Sequence, residues 1–320
     1  MAGTETLSFS IPAGFPAPVY RFEQNNPLTR QGFELGRRLF YDGRLSKDGN
    51  FPCSSCHQQF AAFSTFDHDL SHGFNNQFTT RNAPALSNLA WMPALQWDGG
   101  INNMEVQPLA PLTAPNEMGE DIGTVIGKLK KDAAYNQQFT AAFGKGEINS
   151  QKMLKALTQF IGTMVSADSK YDKVKRGAAS FNAAEQTGYA LFQQKNCGGC
   201  HKEPLFTDFS YRNTGLPLNA SLKDYGRMHI TNKREDSLKF KVPSLRNVYL
   251  TFPYGHDGRF YSIDDVLNHY SNGVQASATV DPLVKNKIPL SKEEKYYLKA
   301  FLSTLTDTAF AADKRFSQPQ

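Results

Sequence analysis

Cys53-Ser54-Ser55-Cys56-His57 constrains this chain more than any other stretch. It reads Cys-x-x-Cys-His, the pattern in which two thiols add across the vinyl groups of a haem and the next histidine offers its imidazole to the iron. A chain built around it has to enclose a flat and largely apolar group. The pattern returns at Cys197-Gly198-Gly199-Cys200-His201, and the two copies use all four cysteines. Two chance turns, or a zinc site that includes the histidines, are the competing explanations. Two complete copies with no cysteine left over favour two covalent c-type haems, with Cys53, Cys56, Cys197 and Cys200 as attachment points and His57 and His201 as proximal ligands.

A length of 320 residues suggests about two domains, one for each motif. The net charge of +5, from 35 basic and 30 acidic residues, is modest, and nothing in it argues for nucleic acid. No run of 18 or more apolar residues is present, so no membrane-spanning helix is expected. Met1 to Pro18 lacks the basic and apolar regions of a signal peptide. Because c-type haem is normally attached outside the bacterial cytoplasm, the expectation is a periplasmic or otherwise exported protein whose export signal is absent from this chain.

The surroundings of the two motifs repeat. Asn26-Pro27 reads as a helix start before Phe33, Leu35, Leu39 and Phe40, and Asn182-Ala183-Ala184-Glu185 as a capping box before Tyr189, Leu191 and Phe192. Both helices carry Gly-x-x-Leu-Phe, at Gly36 to Phe40 and Gly188 to Phe192. Downstream, Pro84-Ala85-Leu86-Ser87-Asn88 matches Pro243-Ser244-Leu245-Arg246-Asn247 at an offset of 159, which also carries Trp97-Asp98-Gly99 onto His256-Asp257-Gly258. Chance recurrence of turn residues is the weaker account of one offset kept through both blocks. Helical stripes at Ile122 to Leu129 and at Met153 to Met164 read as core, with Met153 and Met164 as packing residues. A last helix is expected after the capping box Ser291 to Glu294, and Lys170 to Phe181 is the best linker candidate. The expected fold is mainly α: an N-terminal extension over 1–24 and two cytochrome c-like haem domains, 25–170 and 171–320, related by internal duplication and packed about a shared interface.

The two CxxCH motifs, Arg81-Asn82-Ala83-Pro84, Trp97-Asp98-Gly99, Asn116-Glu117-Met118-Gly119 and the run from Phe240 through Asn247 to Pro253-Tyr254-Gly255-His256-Asp257-Gly258 together resemble the bacterial dihaem cytochrome c peroxidase and MauG family. The resemblance covers nearly everything from about residue 25 onward. It implies a peroxidatic N-terminal haem, an electron-transfer C-terminal haem and a calcium ion between them, with Asn82 and the carbonyls of Thr251 and Pro253 as ligands suited to a hard cation.

On the family pattern Glu117 is the acid–base residue that moves a proton between the peroxide oxygens, and Gln107 helps position peroxide. Alone, a glutamate before Met-Gly reads as a solvated loop residue. Trp97 is either a plain core aromatic or the ring between the haems that assists electron transfer. His72 lies where the peroxidases carry a histidine that caps the first iron until the second haem is reduced, but the loop before Asn82 is longer here and MauG lacks that residue. A switchable ligand and an exposed loop histidine both stand; His68 reads as surface. Arg81 and Arg246 read as propionate partners or surface ion pairs, and Met228 and His229 as ligands by residue type alone.

Adding the offset to Pro111 leads to Tyr270. Proline has no ligating side-chain atom, whereas tyrosine offers a phenolate. The family has methionine here in the peroxidases and tyrosine in MauG, so Tyr270 is the expected second ligand of the C-terminal iron; the alternative is that it packs beside Val266 and Leu267 while His269 ligates. Two functions follow. One is a peroxidase that reduces hydrogen peroxide to water with electrons from a small cytochrome or cupredoxin. The other is a MauG-like oxidase that uses peroxide-derived high-valent haems to oxidise residues of a partner protein. A plain electron carrier would have no use for Gln107 and Glu117. A homodimer is left open.

Overall fold

The computed structural model describes residues 4–320; Met1 to Gly3, the beginning of the expected extension, lie outside the described residues. The longer helices are α1 (Arg30–Phe40), α2 (Ile122–Lys130), α3 (Ala133–Phe143), α4 (Ser150–Gly162), α5 (Lys170–Lys175), α6 (Ala183–Gln194), α7 (Ile263–Asn268) and α8 (Lys292–Ser303). Loops and single helical turns connect them. Among the described residues the one sheet is a two-stranded antiparallel pair, β1 (Tyr211–Arg212) with β2 (Phe240–Lys241). The expected mainly helical class is what the chain adopts.

Helix α1 begins one turn later than the Asn26-Pro27 reading. Thr29 is its N-cap, accepting the N–H of Gly32, while Asn26 is buried and donates to the Lys155 carbonyl. The chain spends Asn26 on fixing the loop against α4 instead. The capping boxes at Asn182/Glu185 and Ser291/Glu294 form as read.

The repeated Gly-x-x-Leu-Phe has a packing reason. A Cβ on Gly36 would lie 1.9 Å from the Ala156 carbonyl oxygen and 2.9 Å from Phe160 Cβ, so only glycine lets α1 approach α4. Gly188 plays the same part between α6 and α8, 1.9 Å from the Tyr297 oxygen and 2.9 Å from Phe301 Cβ. Leu35, Leu39 and Phe40 fill one core with Met153, Leu157, Phe160 and Met164; Phe192 and Phe301 centre the other. Both methionines are packing residues.

Local geometry recurs at the offset of 159. Asn88 and Asn247 are both left-handed, at φ 60°, a conformation asparagine tolerates better than most residues. Each uses its side-chain oxygen to accept a backbone N–H from the end of its half, from Ser166 and Asp307 respectively. The antiparallel bridge Leu95–Ile101 recurs at Tyr254–Phe260. Gly99 and Gly258, at φ +72° and +68°, make the matching turns.

Three segments behave differently from the sequence reading. Lys170 to Lys175 is not a linker but a capped helix: the Ser169–Asp172 capping box starts it and Tyr171 is buried. The N-terminal extension is packed down, with Phe9 and Phe15 on Trp91 and the Trp91 indole donating to the Pro16 carbonyl. The end of the chain returns to the first core, where Phe310 and Phe316 meet Phe63.

Candidate active site

At the first motif Cys53–Cys56 is a single helical turn. Ala62 and Phe63 then adopt left-handed φ values of 52° and 61°, which turns the Phe63 carbonyl back to lie 2.9 Å from His57 Nδ1. At the second motif Phe206, also left-handed, and Pro243 present carbonyls 3.2 and 3.1 Å from His201 Nδ1. A carbonyl there accepts a proton from Nδ1 and leaves the Nε2 lone pair for a metal. Burial pulls both imidazoles below the ordinary histidine range, which favours the neutral form a ligand needs. It also raises the thiols, Cys53 to about 12 and Cys197 to about 11.

A cavity of about 360 Å³ opens over the second motif. Cys197, Cys200 and His201 lie on its wall, with Tyr270 opposite in polarity among the apolar side chains of Leu245, Leu267 and Leu298. Tyr270 sits in a π-helical turn that follows α7, a local distortion often found at functional sites. Burial, and then the nearby thiols of Cys200 and Cys197, raise the phenol above its ordinary range. Its hydroxyl makes no hydrogen bond within the described chain. A covalent haem fits this donor set: two thiols, an oriented imidazole, apolar walls and one unpartnered polar atom. His269 also lines the cavity, with its Nε2 2.8 Å from the Thr214 carbonyl oxygen.

The first motif has a different distal side. Burial alone raises the pKa of Glu117, with no cation or donor to offset it. Its charge adds to the effect of burial on the Cys56 thiol, so the carboxyl and the motif share one space. Gln107 Oε1 is buried without a hydrogen-bond partner, and Gln107 lines the large cavity that also reaches the second motif. Pro111 lies between them in a short helix, Leu109–Thr113. The His72 loop is pressed against this segment: Phe74 N–H donates to the Glu117 carbonyl at 2.6 Å, and a Cβ on Gly73 would lie 2.2 Å from the Asn116 oxygen. His72 itself is exposed, its ring against Phe78 and His68.

Trp97 connects the two halves. Its indole N–H donates to the Asn82 carbonyl at 2.9 Å, its own carbonyl accepts the Lys241 N–H at 2.7 Å, and its side chain lines the cavity over the second motif. Asn82 is buried; its N–H donates to the His256 carbonyl and its amide to that of Asp69. The carbonyls of Thr251 and Pro253 accept no hydrogen bond in the described chain. No group of three or more His, Cys, Asp or Glu that could hold a metal ion occurs among the described residues, so a cation near Asn82 would rest on amide and carbonyl oxygens.

Both arginines make ion pairs within the chain. Arg246 is fully buried and bidentate to Asp172, at 2.9 and 2.8 Å. Arg81 is divided between Asp224 and Asp98 at 2.6 Å each. Two residues the sequence reading passed over are prominent instead. Lys241 is buried, and its only visible signal is a lysine set in the apolar run Phe240 to Leu245. His256 stacks on Phe240 at 3.6 Å, and burial pulls it down to about 4; its signal was its match to Trp97. His229 is exposed and accepts the Tyr225 N–H through Nε2.

A mainly helical chain with two CxxCH motifs, each with an oriented histidine, and a buried carboxyl and phenol has the donor groups of a dihaem oxidoreductase. Comparison with known proteins agrees. Residues 30–180 match the family of di-haem cytochrome c peroxidases. The chain is 33% identical over 304 residues to the methylamine utilization protein MauG of Methylophilus methylotrophus, covering 93% of this chain and 87% of that one. It is 32% identical over 311 residues to cytochrome c551 peroxidase of Nitrosomonas europaea, covering 94% and 90%. The solved structure of a MauG-like protein associated with microbial copper homeostasis superposes with a TM-score of 0.90 at 34% identity, over 98% of this chain and 99% of that one. This chain belongs to the dihaem cytochrome c peroxidase and MauG family. It is a cytochrome c peroxidase-type oxidoreductase that carries two c-type haems. Among the described residues no helix is long and apolar enough to cross a membrane.

Proposed function

We propose that this protein is a MauG-type oxidase, which draws oxidising equivalents from hydrogen peroxide at the first motif and delivers them to a residue of a partner protein. The observation that carries the reading is the Tyr270 hydroxyl, unpartnered in the cavity that also holds Cys197, Cys200 and His201. When bound, the two haems supply one iron that cleaves peroxide and a second that holds an oxidising equivalent. Attachment is through Cys53 and Cys56 and through Cys197 and Cys200, with His57 and His201 as proximal ligands and Tyr270 as the second ligand at the C-terminal site. An anionic phenolate favours the oxidised metal and lowers its potential, where a thioether would raise it.

Glu117 takes the proton from the near peroxide oxygen and returns it to the far one, so that water leaves. Burial raises its pKa toward the working range, which suits a group that both accepts and donates. Gln107 Oε1 accepts a hydrogen bond from peroxide, and Pro111 offers no atom to compete for the position. Trp97 is the aromatic group between the two sites. A calcium ion held by Asn82, Thr251 and Pro253 would fix the loops on which Trp97 rests. The recurring geometry at the offset supports two haem domains, 25–170 and 171–320, of common descent about a shared interface. Covalent haem supports an exported protein.

A second reading, a peroxidase that reduces peroxide to water with two electrons from a small cytochrome or cupredoxin, has one observation in its favour. His72-Gly73 lies directly against Asn116-Glu117, the position from which a histidine could cap the first iron. Peroxide turnover with a reduced donor, started from fully oxidised and from half-reduced protein, separates the two. The MauG-type reading expects oxidised protein to react with peroxide at once; a reaction that begins only after half-reduction would sink it.

A further inference from the structure

Lys241 is the one lysine among the buried described residues, and the chemistry above does not use its side chain. It stands on β2 in the second half and reaches into the first, where Nζ donates to the Ala94 carbonyl at 2.8 Å and lies 3.8 Å from Met92 Sδ. Among the described residues it has no carboxylate within ion-pair distance. The carboxylate whose field it feels, Asp98, is committed to Arg81 at 2.6 Å. The other buried cation, Arg246, is neutralised by Asp172. An ammonium taken out of water without an anion is costly, and burial pulls Lys241 down to about 8.

Its location supplies the missing charge. Lys241 lines the same cavity as Cys197, Cys200, His201 and Tyr270. It stands two residues before Pro243, whose carbonyl lies 3.1 Å from His201 Nδ1. One short stretch, from β2 to Pro243, therefore carries both a group that orients the proximal imidazole and an unpaired cation. A haem in this cavity brings two propionate carboxylates on one edge of its ring, and the arginines read as their partners from sequence are both occupied.

We infer that Lys241 is the counter-ion of a propionate on the haem attached at Cys197 and Cys200, a positioning residue that fixes that edge of the ring and raises the reduction potential of that haem. The sign follows from electrostatics, since a nearby positive charge stabilises the reduced, less positive iron. Lys241 thus works against the downward pull of an anionic ligand on the same iron. The inference needs a haem at the second motif and does not depend on Tyr270 being its ligand.

The test is a spectroelectrochemical titration of the dihaem protein as wild type, Lys241→Met and Lys241→Arg, with the second-motif signal identified by its loss in a Cys197→Ala/Cys200→Ala control. Lys241→Met should lower the midpoint of the second-motif haem, and Lys241→Arg should keep it near the wild-type value. The resonance Raman propionate-bending band should shift in the Met variant and stay close to wild type in the Arg variant. If Lys241→Met does not retain both haems, Lys241→Gln against Lys241→Arg carries the same comparison. An unchanged midpoint in the neutral variant overturns the proposal, as does an equal fall in the neutral and Arg variants or a shift confined to the first-motif haem.

Discussion

Gly36 and Gly188 do the same packing work in the two halves, whereas Pro111 and Tyr270, 159 residues apart, place unlike side chains at positions that the offset matches. The glycines let a helix meet a backbone carbonyl that any side chain would strike. Pro111 offers no ligating side-chain atom in the segment that carries the buried Glu117 carboxyl, while Tyr270 lines the cavity over the second motif with a phenol. The contrast teaches that the frame holding a haem and the residues deciding its reactivity are separable. Frame residues are small or apolar and answer to packing; the distal residues answer to chemistry and are free to differ.

The most damaging single change to this asymmetry is Glu117→Gln. It is close to isosteric and removes proton exchange alone, so peroxide-dependent turnover should fall about a hundredfold to ten-thousandfold while both haem spectra stay near native; unchanged turnover would return Glu117 to a structural role. The same residue sets a pH dependence. Because the carboxylate form accepts the first proton, the rate should drop as pH falls through the Glu117 pKa. Burial raises that pKa, so the drop should come at a higher pH than an ordinary glutamate would give, and it should vanish from the rate profile of Glu117→Gln.

Tyr270→Met makes the second site resemble the peroxidase pattern. The midpoint potential of the C-terminal haem should rise, and oxidised protein should lose its immediate reaction with peroxide. A potentiometric titration that finds no change would remove Tyr270 from the iron.

Gly36→Ala and Gly188→Ala probe the side on which the halves agree. Both place a methyl group 1.9 Å from a carbonyl oxygen, and overpacking of this kind costs about 1–3 kcal/mol. Thermal unfolding should show comparable losses for the two, and a large difference would break the claimed equivalence of the frames. His72→Gly should have the smallest effect. In a MauG-type protein the oxidised variant reacts with peroxide at the wild-type rate; a clear acceleration on stopped-flow mixing would show that His72 gates the first iron.

Much of this was legible in the chain. CxxCH, Gly-x-x-Leu-Phe and the capping boxes are short contiguous patterns whose physical demands are local. Downstream of the motifs an offset of 159 is kept from Pro84/Pro243 through Trp97/His256, and it is what pointed from Pro111 to Tyr270. Charge partners were illegible for the opposite reason. Arg246 looked free to bind a propionate, but its partner Asp172 lies 74 residues earlier in the chain, in a segment that read as a linker because it is charged and rich in small residues. Phe310 and Phe316, near the end of the chain, complete the first core, a long-range contact that no local pattern marks.

The sequence by itself determined that the chain is built for two haems, pointed to the cysteines that would attach them, and marked the proline and tyrosine proposed for their distal sides, because covalent attachment and ligand chemistry depend on residue type at fixed spacing. Only the tertiary structure decided which cations are already neutralised and that Lys241 is not, because neutralisation depends on which distant carboxylates folding brings within reach. Burial decided the rest: the same lysine or glutamate is unremarkable in water and chemically committed once water is removed.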